Sequence, residues 1–248
     1  MNITPVKTDK ITVGTTTLFG VLDRAITSLS DGSVVVVTSK IISICEGRVV
    51  KIGERDKHEL IEEEAQLLIP PEKTKYDFPL TITRNTLIPT AGIDESNGDG
   101  YYILWPADPY TTAREVRRYL VNQFSVPNVG VLVTDSKTTA LRWGTTGISL
   151  AHAGFAALNN YIDTPDIFGR NLKVTKANIA DGLAAAAVVV MGEGSEQTPL
   201  AVISDVPFVR FDASAPSEKE IADLTIDLSE DLYGPIIQAA PWQKGKGK

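Results

Sequence analysis

The chain has 248 residues, 43% of them hydrophobic and 22% charged, with a formal net charge of −7. That apolar content supports a sizeable core, in one large domain or two small intergrown ones, and excludes a disordered chain. The acidic balance excludes a nucleic-acid binder working through a basic footprint, and leaves any nucleotide to be bridged by metal ions.

Leu18, Leu22, Ala25, Ile26 and Leu29 recur at helical spacing over Leu18–Leu29. Asp31-Gly32 turns the chain into Val34–Thr38, a β-branched run that reads as a buried strand with Ser39-Lys40 at its C-terminal end. A strand over Arg48–Ile52 follows, then a helix over His58–Leu68 stopped by Pro70-Pro71. Leu80–Ile93 alternates as strands, and Gly92–Gly100 is a polar, glycine-rich loop. Asp108-Pro109 opens a helix to about Phe124, in which Thr112 and Glu115 fit a capping box. Val129–Val133 is a buried strand ending on Thr134-Asp135, and a small-residue segment, Ile148–Asn159, comes next. Ile179–Met191 is an alanine-rich helix, Leu200–Ser204 a strand, and Ser217–Leu232 a last helix with Ser217 and Glu220 as its capping box. The Lys/Gly-rich tail 243–248 is expected to be disordered. Helices and strands mix without a regular βαβ alternation. The expected class is therefore α+β, with mixed or antiparallel sheets in a single 1–248 unit, as one domain or two intergrown subdomains, rather than a Rossmann fold.

One cysteine, Cys45, excludes an intrachain disulfide and a cysteine-based zinc site, and two histidines, His58 and His152, argue against a multi-histidine centre. Cys45 has no histidine near it in sequence and reads as a core residue; His152, among alanines and glycine, reads as packed rather than catalytic. Met1–Lys10 lacks an apolar h-region, and the longest apolar run, Leu183–Met191, is too short to span a bilayer. The expectation is a soluble, reduced, cytoplasmic protein that binds neither membrane nor nucleic acid.

No P-loop pattern occurs, and Gly192-Glu193-Gly194 follows a helix instead of opening one, so a dinucleotide fingerprint is rejected. Asp94-x-Ser96-x-Gly98 fails as a calcium loop because Trp105 stands at its twelfth position. Three acidic sites remain: Asp94 with Glu95, Ser96 and Asn97; Asp135-Ser136 at a strand end; and Glu193 with Glu196 past the alanine-rich helix. Carboxylates on such element ends suit Mg²⁺ or Mn²⁺. Lys40, Arg48 and Arg142 are candidate clamps for phosphate oxygens. Each acid taken singly is equally a turn or cap residue, Lys40 a solvated lysine, and Arg142 a surface partner of Trp143.

Taken in order, several segments resemble one family. They are TSKIISICEGR over 38–48, AGIDESN over 91–97, WPADP over 105–109 with Arg114 and Arg117 beyond it, VLVTDSKTTALRWGTTG over 131–147, and FGR through VMGEGSEQTP over 168–199. Together they are similar to the coenzyme F420 gamma-glutamyl ligase family, from about Ser30 to Phe211. The resemblance implies a two-domain α+β fold of the family's own type and an intertwined homodimer. It implies that L-glutamate is joined through its amine to an acceptor carboxylate via an acyl phosphate, with GTP (or ATP), divalent metal (two Mg²⁺ or Mn²⁺) and K⁺. Carried over, the metal ligands are Asp94, Asp135 and Glu193, with Ser136 in the place of a threonine. Ser39, Lys40, Ser96 and Arg142 fall in the cofactor-binding set. Lys40, Arg48 and Glu196 form the catalytic set, Glu196 as base and Arg48 or Arg142 holding a carboxylate of glutamate.

The chain departs from the family pattern at Lys137–Leu141, at Thr145 in place of a glutamine, and at Ile44 where lysine is common. The metal positions survive while the neighbouring segment has changed, so a folate-type acceptor stands beside the F420-type one. The rival from another class is a non-catalytic nucleotide- or metal-binding protein on the same fold.

Overall fold

The computed structural model describes residues 1–247. In chain order β1 (Asn2–Val6) and α1 (Leu18–Ala25) lead into β2 (Ser33–Thr38), α2 (Ser39–Glu46) and β3 (Val49–Lys51). Next come α3 (Lys57–Glu64), β4 (Leu67–Ile69), β5 (Leu80–Thr83), β6 (Thr86–Pro89) and β7 (Tyr101–Ile103). They are followed by α4 (Pro109–Phe124), β8 (Val129–Thr138), β9 (Thr145–Ala153), β10 (Leu158–Asn160) and β11 (Lys176–Asn178). The chain closes with α5 (Ile179–Met191), β12 (Leu200–Ser204), α6 (Glu218–Leu224), α7 (Gly234–Gln238) and β13 (Gln243–Lys244).

The largest sheet has the order β1-β12-β2-β8-β9, and within it β2 and β8 run parallel while the other neighbours run antiparallel. A second sheet is ordered β13-β4-β5-β6, and β3-β7 and β10-β11 form two-stranded ribbons. The fold is α+β, as expected from the sequence, and is not a doubly wound Rossmann sheet.

The valine run of β2 is continuous because both faces of its sheet are covered. Val35 and Val37 pack with α1, α2 and α4, whereas Val34 and Val36 pack with α5. The alanines of α5 let it close on the sheet: a Cβ on Gly147 of β9 would lie 2.3 Å from the Ala184 carbonyl oxygen. A separate small core, with Leu60, Ile61, Leu68, Ile93 and Leu104, sits under α3 and the second sheet.

Several elements differ from their sequence reading. The helix expected over His58–Leu68 stops at Glu64, and Leu67–Ile69 is a strand paired with β5. From this strand Leu68 joins the small core, a tertiary demand that overrides local propensity. Asp108, not Thr112, caps α4: its carboxylate accepts from Thr111 N at 3.0 Å, while the buried Thr112 hydroxyl donates to Glu46 at 2.8 Å. β8 continues past Val133 through a bulge to Thr138. The helix expected over Ser217–Leu232 keeps its Ser217–Glu220 capping box but ends at Leu224. The tail expected to be disordered is placed: β13 pairs with β4, and Gly245 and Gly247 donate to the Gln66 and Ala65 carbonyls at 2.9 and 2.8 Å. A Cβ at Gly245 would meet Ala65 O at 2.0 Å, so glycine permits this close approach. Lys248 lies outside the described residues. Among the described residues no helix is long and apolar enough to cross a membrane.

Candidate functional site

The parallel strands β2 and β8 end side by side at a cleft of about 750 Å³. Lys40, Asp94, Ser96, Asp135, Ser136, Glu193 and Glu196 all line it. The wall carries six carboxylates and two lysines, since Asp9, Asp99 and Lys10 also face it.

Lys40 is placed by the direct passage of β2 into α2. Thr38, the N-cap, makes no side-chain cap bond, so the first turn of α2 meets the cleft with its amides uncapped. The Lys40 ammonium pairs with Asp94 Oδ2 at 2.6 Å and donates to Ser96 O at 2.9 Å and Ser96 Oγ at 3.1 Å. Asp94 is reached through a left-handed turn, with φ of 55°, 54° and 74° at Thr90, Ala91 and Gly92. Backbone bonds to Ile103 at 3.0 and 2.7 Å then pin Asp94. Its carboxylate accepts from Glu95 N (2.7 Å), Ser96 N (2.9 Å) and Ser96 Oγ (2.8 Å). Burial alone would raise this carboxyl, but the Lys40 bond and charge and the Ser96 donors hold it below its usual range.

Asp135 follows the bulge of β8. It accepts from the Trp105 indole N–H and, at 2.8 Å, from Ser136 N. Burial pushes its carboxyl up to about 6; the Trp105 and Ser136 donors oppose the rise, and the nearby Asp94 charge adds to it. Lys40 acts on it as well, which puts Lys40, Asp94 and Asp135 in one electrostatic neighbourhood. Behind this cluster, Gly92 lies against Trp105: a Cβ there would fall 2.4 Å from indole atoms, at φ 74°. Gly92→Ala is expected to shift the indole and destabilise the protein by about 1–3 kcal/mol through overpacking; urea unfolding checks this.

Glu193 stands just beyond α5 and accepts from Ser136 Oγ and Thr145 Oγ1, each at 3.2 Å. Glu196 accepts from Gly194 N at 2.8 Å and folds over Gly192, where a Cβ would come within 2.5 Å of its carboxyl carbon. Asn97 Nδ2 donates to Gly194 O at 2.9 Å and so ties the Asp94 loop to the Glu193 loop.

Three expected residues are elsewhere. The Ser39 side chain is buried and does not line the cleft. Arg48 is turned to the protein: its guanidinium donates to Trp105 O at 3.1 Å and pairs with Glu64 at 2.8 Å, so it braces Trp105 from behind. Arg142 lies in the exposed β8–β9 turn, away from the cleft. Cys45 packs on the main core, as read from the sequence, and burial raises its thiol. Trp105 and the Thr8–Thr12 segment, which forms one side of the cleft, were not singled out by the sequence. Trp105 stood in a quoted motif without a role, and the Thr8–Thr12 segment has no periodicity or motif to mark it.

The donors are all oxygen, the set that hard divalent cations take. Among the described residues no three His, Cys, Asp or Glu side chains form a ready cage. Asp94 is turned to Lys40, and Asp135 and Glu193 are each tied to neighbours. Mg²⁺ takes one or two carboxylates and completes its shell with water and phosphate oxygens, so the donor set fits such an ion without a closed cage.

Fold and cleft together define an α+β protein with a carboxylate-rich, lysine-bearing ligand cleft at the end of a mixed sheet. The chain belongs to the F420-0:gamma-glutamyl ligase family, whose model matches residues 5–205. It is 33% identical over 188 residues to the coenzyme F420:L-glutamate ligase of Archaeoglobus fulgidus, covering 70% of this chain and 75% of that one. The coenzyme F420:L-glutamate ligase of Methanopyrus kandleri is 32% identical over 193 residues (70% and 75% covered). That of Methanocaldococcus jannaschii is 32% identical over 200 residues (73% and 79% covered).

Proposed function

We propose that the protein joins L-glutamate to the carboxylate of an F420-type acceptor, driven by a nucleoside triphosphate. The observation that carries the reading is the convergence of Lys40, Asp94, Asp135, Ser136 and Glu193 on one cleft, in a chain of this family. A carboxylate is a poor acyl donor because oxide would have to leave. In the proposed reaction the acceptor carboxylate oxygen attacks the terminal phosphorus and the nucleoside diphosphate leaves, giving an acyl phosphate. The glutamate amine then attacks the acyl carbon and inorganic phosphate leaves.

Lys40 and the uncapped amides of α2 would receive phosphate oxygens and offset their charge. Ser39 would contribute only through its backbone. Asp94, Asp135, Ser136 and Glu193 would hold Mg²⁺ or Mn²⁺, which when bound supplies charge neutralisation at those oxygens. Glu196, near the same wall, would take the proton lost from the attacking amine.

Ligation is tested with purified protein, L-glutamate, K⁺, Mg²⁺ or Mn²⁺, GTP or ATP, and each acceptor in turn. A product heavier by glutamyl units, with nucleoside diphosphate released, is expected for the F420-type acceptor. Product with a folate alone would reassign the acceptor. Nucleotide binding without product from any acceptor would favour the non-catalytic alternative.

A homodimer belongs to the same proposal. Ile167, Phe168 and Val174, in the arm between β10 and β11, are 91%, 89% and 85% exposed, an apolar surface suited to a second copy. Phe168→Glu is expected to convert a dimer to monomer in sedimentation velocity; a monomeric parent protein would overturn the dimer.

A further inference from the structure

Trp105 is only 3% exposed, and its indole N–H donates to Asp135 Oδ2 from behind the cleft wall. Asp135 Oδ1 accepts from Ser136 N at 2.8 Å. Each carboxylate oxygen therefore has one partner in the protein and keeps acceptor capacity for the cleft that Asp135 lines.

The segment that carries the indole is held at three successive carbonyls. Arg48 Nε donates to Trp105 O at 3.1 Å. Arg84 donates to Pro106 O at 2.7 Å and to Ala107 O at 3.2 Å. Ala107 N donates to Glu46 at 3.3 Å, and Arg48 is itself paired with Glu64 at 2.8 Å. Arg84 comes from the two-residue turn between β5 and β6, where it and Asn85 take φ of 46° and 58°. Glycine and asparagine suit such a turn best. Here the turn instead delivers a guanidinium that reaches two carbonyls. Side chains from α2, α3 and the β5–β6 turn, together with Arg48, thus converge on one short segment whose indole ends on Asp135.

The nature of the donor matters. Asp94 is paired with the Lys40 ammonium, whereas among the described residues no cation forms an ion pair with Asp135. An indole N–H is a donor only and carries no charge. It can fix how a carboxylate faces the cleft and still leave the full negative charge for a metal ion, which a lysine or arginine in that place would cancel.

Resting on the ligase reading and its metal set, we infer that Trp105 is a positioning residue. Its indole N–H, aimed by Arg48 and Arg84, holds the Asp135 carboxylate in one orientation toward a divalent cation in the cleft.

The test uses the full chain and needs no turnover. Mn²⁺ titration followed by electron paramagnetic resonance should show Trp105→Phe, which keeps a ring but loses the donor, binding the ion about 10–100-fold more weakly than the parent protein. In steady state KM for Mn²⁺ should rise while KM for glutamate stays unchanged. The chain has three tryptophans and hence three indole N–H signals in nuclear magnetic resonance. Mg²⁺ should shift the Trp105 signal, and Asp135→Asn should move that signal and abolish its response to Mg²⁺. Arg48→Ala, outside the cleft lining, guards against a Trp105→Phe variant that does not fold. It should weaken Mn²⁺ binding severalfold, and Arg48→Lys should restore part of it. Equal Mn²⁺ affinity in parent and folded Trp105→Phe would overturn the assignment, as would a Trp105 signal indifferent to Mg²⁺ or a parent protein that binds no Mn²⁺. If the parent bound Mn²⁺ yet made no product from any acceptor, the ligase reading would fall, and the titrations would still decide Trp105.

Discussion

Asp135→Asn is expected to cost ~10²–10³-fold in metal-dependent turnover, the scale of losing one charge-stabilising group from a reaction centre, while making the metal-free protein more stable at neutral pH. The two effects have one cause. Burial lifts the folded-state carboxyl from its ordinary 3.8 to about 6, so near pH 7 the cleft holds Asp135 ionised against its preference. A raised folded-state value means the associated stability is complete below about 3.8 and is lost as pH rises through about 6. A neutral carboxamide escapes that loss. It still accepts one bond, from either Trp105 or Ser136 N, and leaves the other donor unmatched. The net gain is put at about 1 kcal/mol, because Asp135 retains some solvent contact and the mismatch offsets much of a full gain of about 3 kcal/mol. Urea unfolding at pH 7.5 and steady-state turnover with Mn²⁺ check both halves. A variant that is fully active would remove Asp135 from the proposed metal set; one that is inactive and unfolded would remove the stability argument.

The second large effect is on acid stability and centres on His152. This side chain is fully buried on β9 opposite Leu132, with the rings of Tyr110 and Phe155 at 5.9 and 5.2 Å. Neither ring nitrogen has a partner among the described residues. Burial lowers its pKa from 6.5 to about 4; the Glu220 charge works against that shift and Arg114 with it. A lowered value favours the neutral folded form. The stability so held is complete above about 6.5 and is lost as pH falls through about 4. The gap corresponds to about 3 kcal/mol. Urea midpoints at pH 7.5 and pH 4.5 should fall accordingly, and His152→Leu should remove most of the difference. An equal acid loss in that variant would assign the acid transition to the carboxylates instead, Asp94 foremost among them.

The parts of the fold that read clearly in the sequence are those fixed by short-range physics. The valines of β2 form a continuous run because helices cover both faces of the sheet, and α5 keeps its sequence-read limits, with Asn178 capping one end and Gly192 closing the other. β4 was hidden because its three apolar residues choose strand only when β5 is beside them. The same division holds for the cleft. Lys40, Asp94, Asp135 and Glu193 sit at or near ends of elements that converge on the cleft, and the two aspartates have short side chains with little freedom, so their motifs placed them together. Arg48 and Arg142 have long, flexible stems, and their destinations depend on partners remote in sequence, such as Glu64 for Arg48. The Thr8–Thr12 segment enters the cleft wall only because β1 pairs with β12, almost two hundred residues later.

That last pairing bears on the order in which the molecule is made. The cleft draws on Thr8, Lys40, Asp94, Asp135 and Pro199, so no stretch of the growing chain contains it until synthesis has passed β12. A nascent chain that has made β2, α2 and the Asp94 loop contains Lys40 and Asp94, yet it lacks β8, the Glu193 wall and the β12 strand that holds Thr8–Thr12 in place. Such a chain lacks the enclosed cleft, and acquires it only when its longest-range strand contacts close, the step that topology makes slowest.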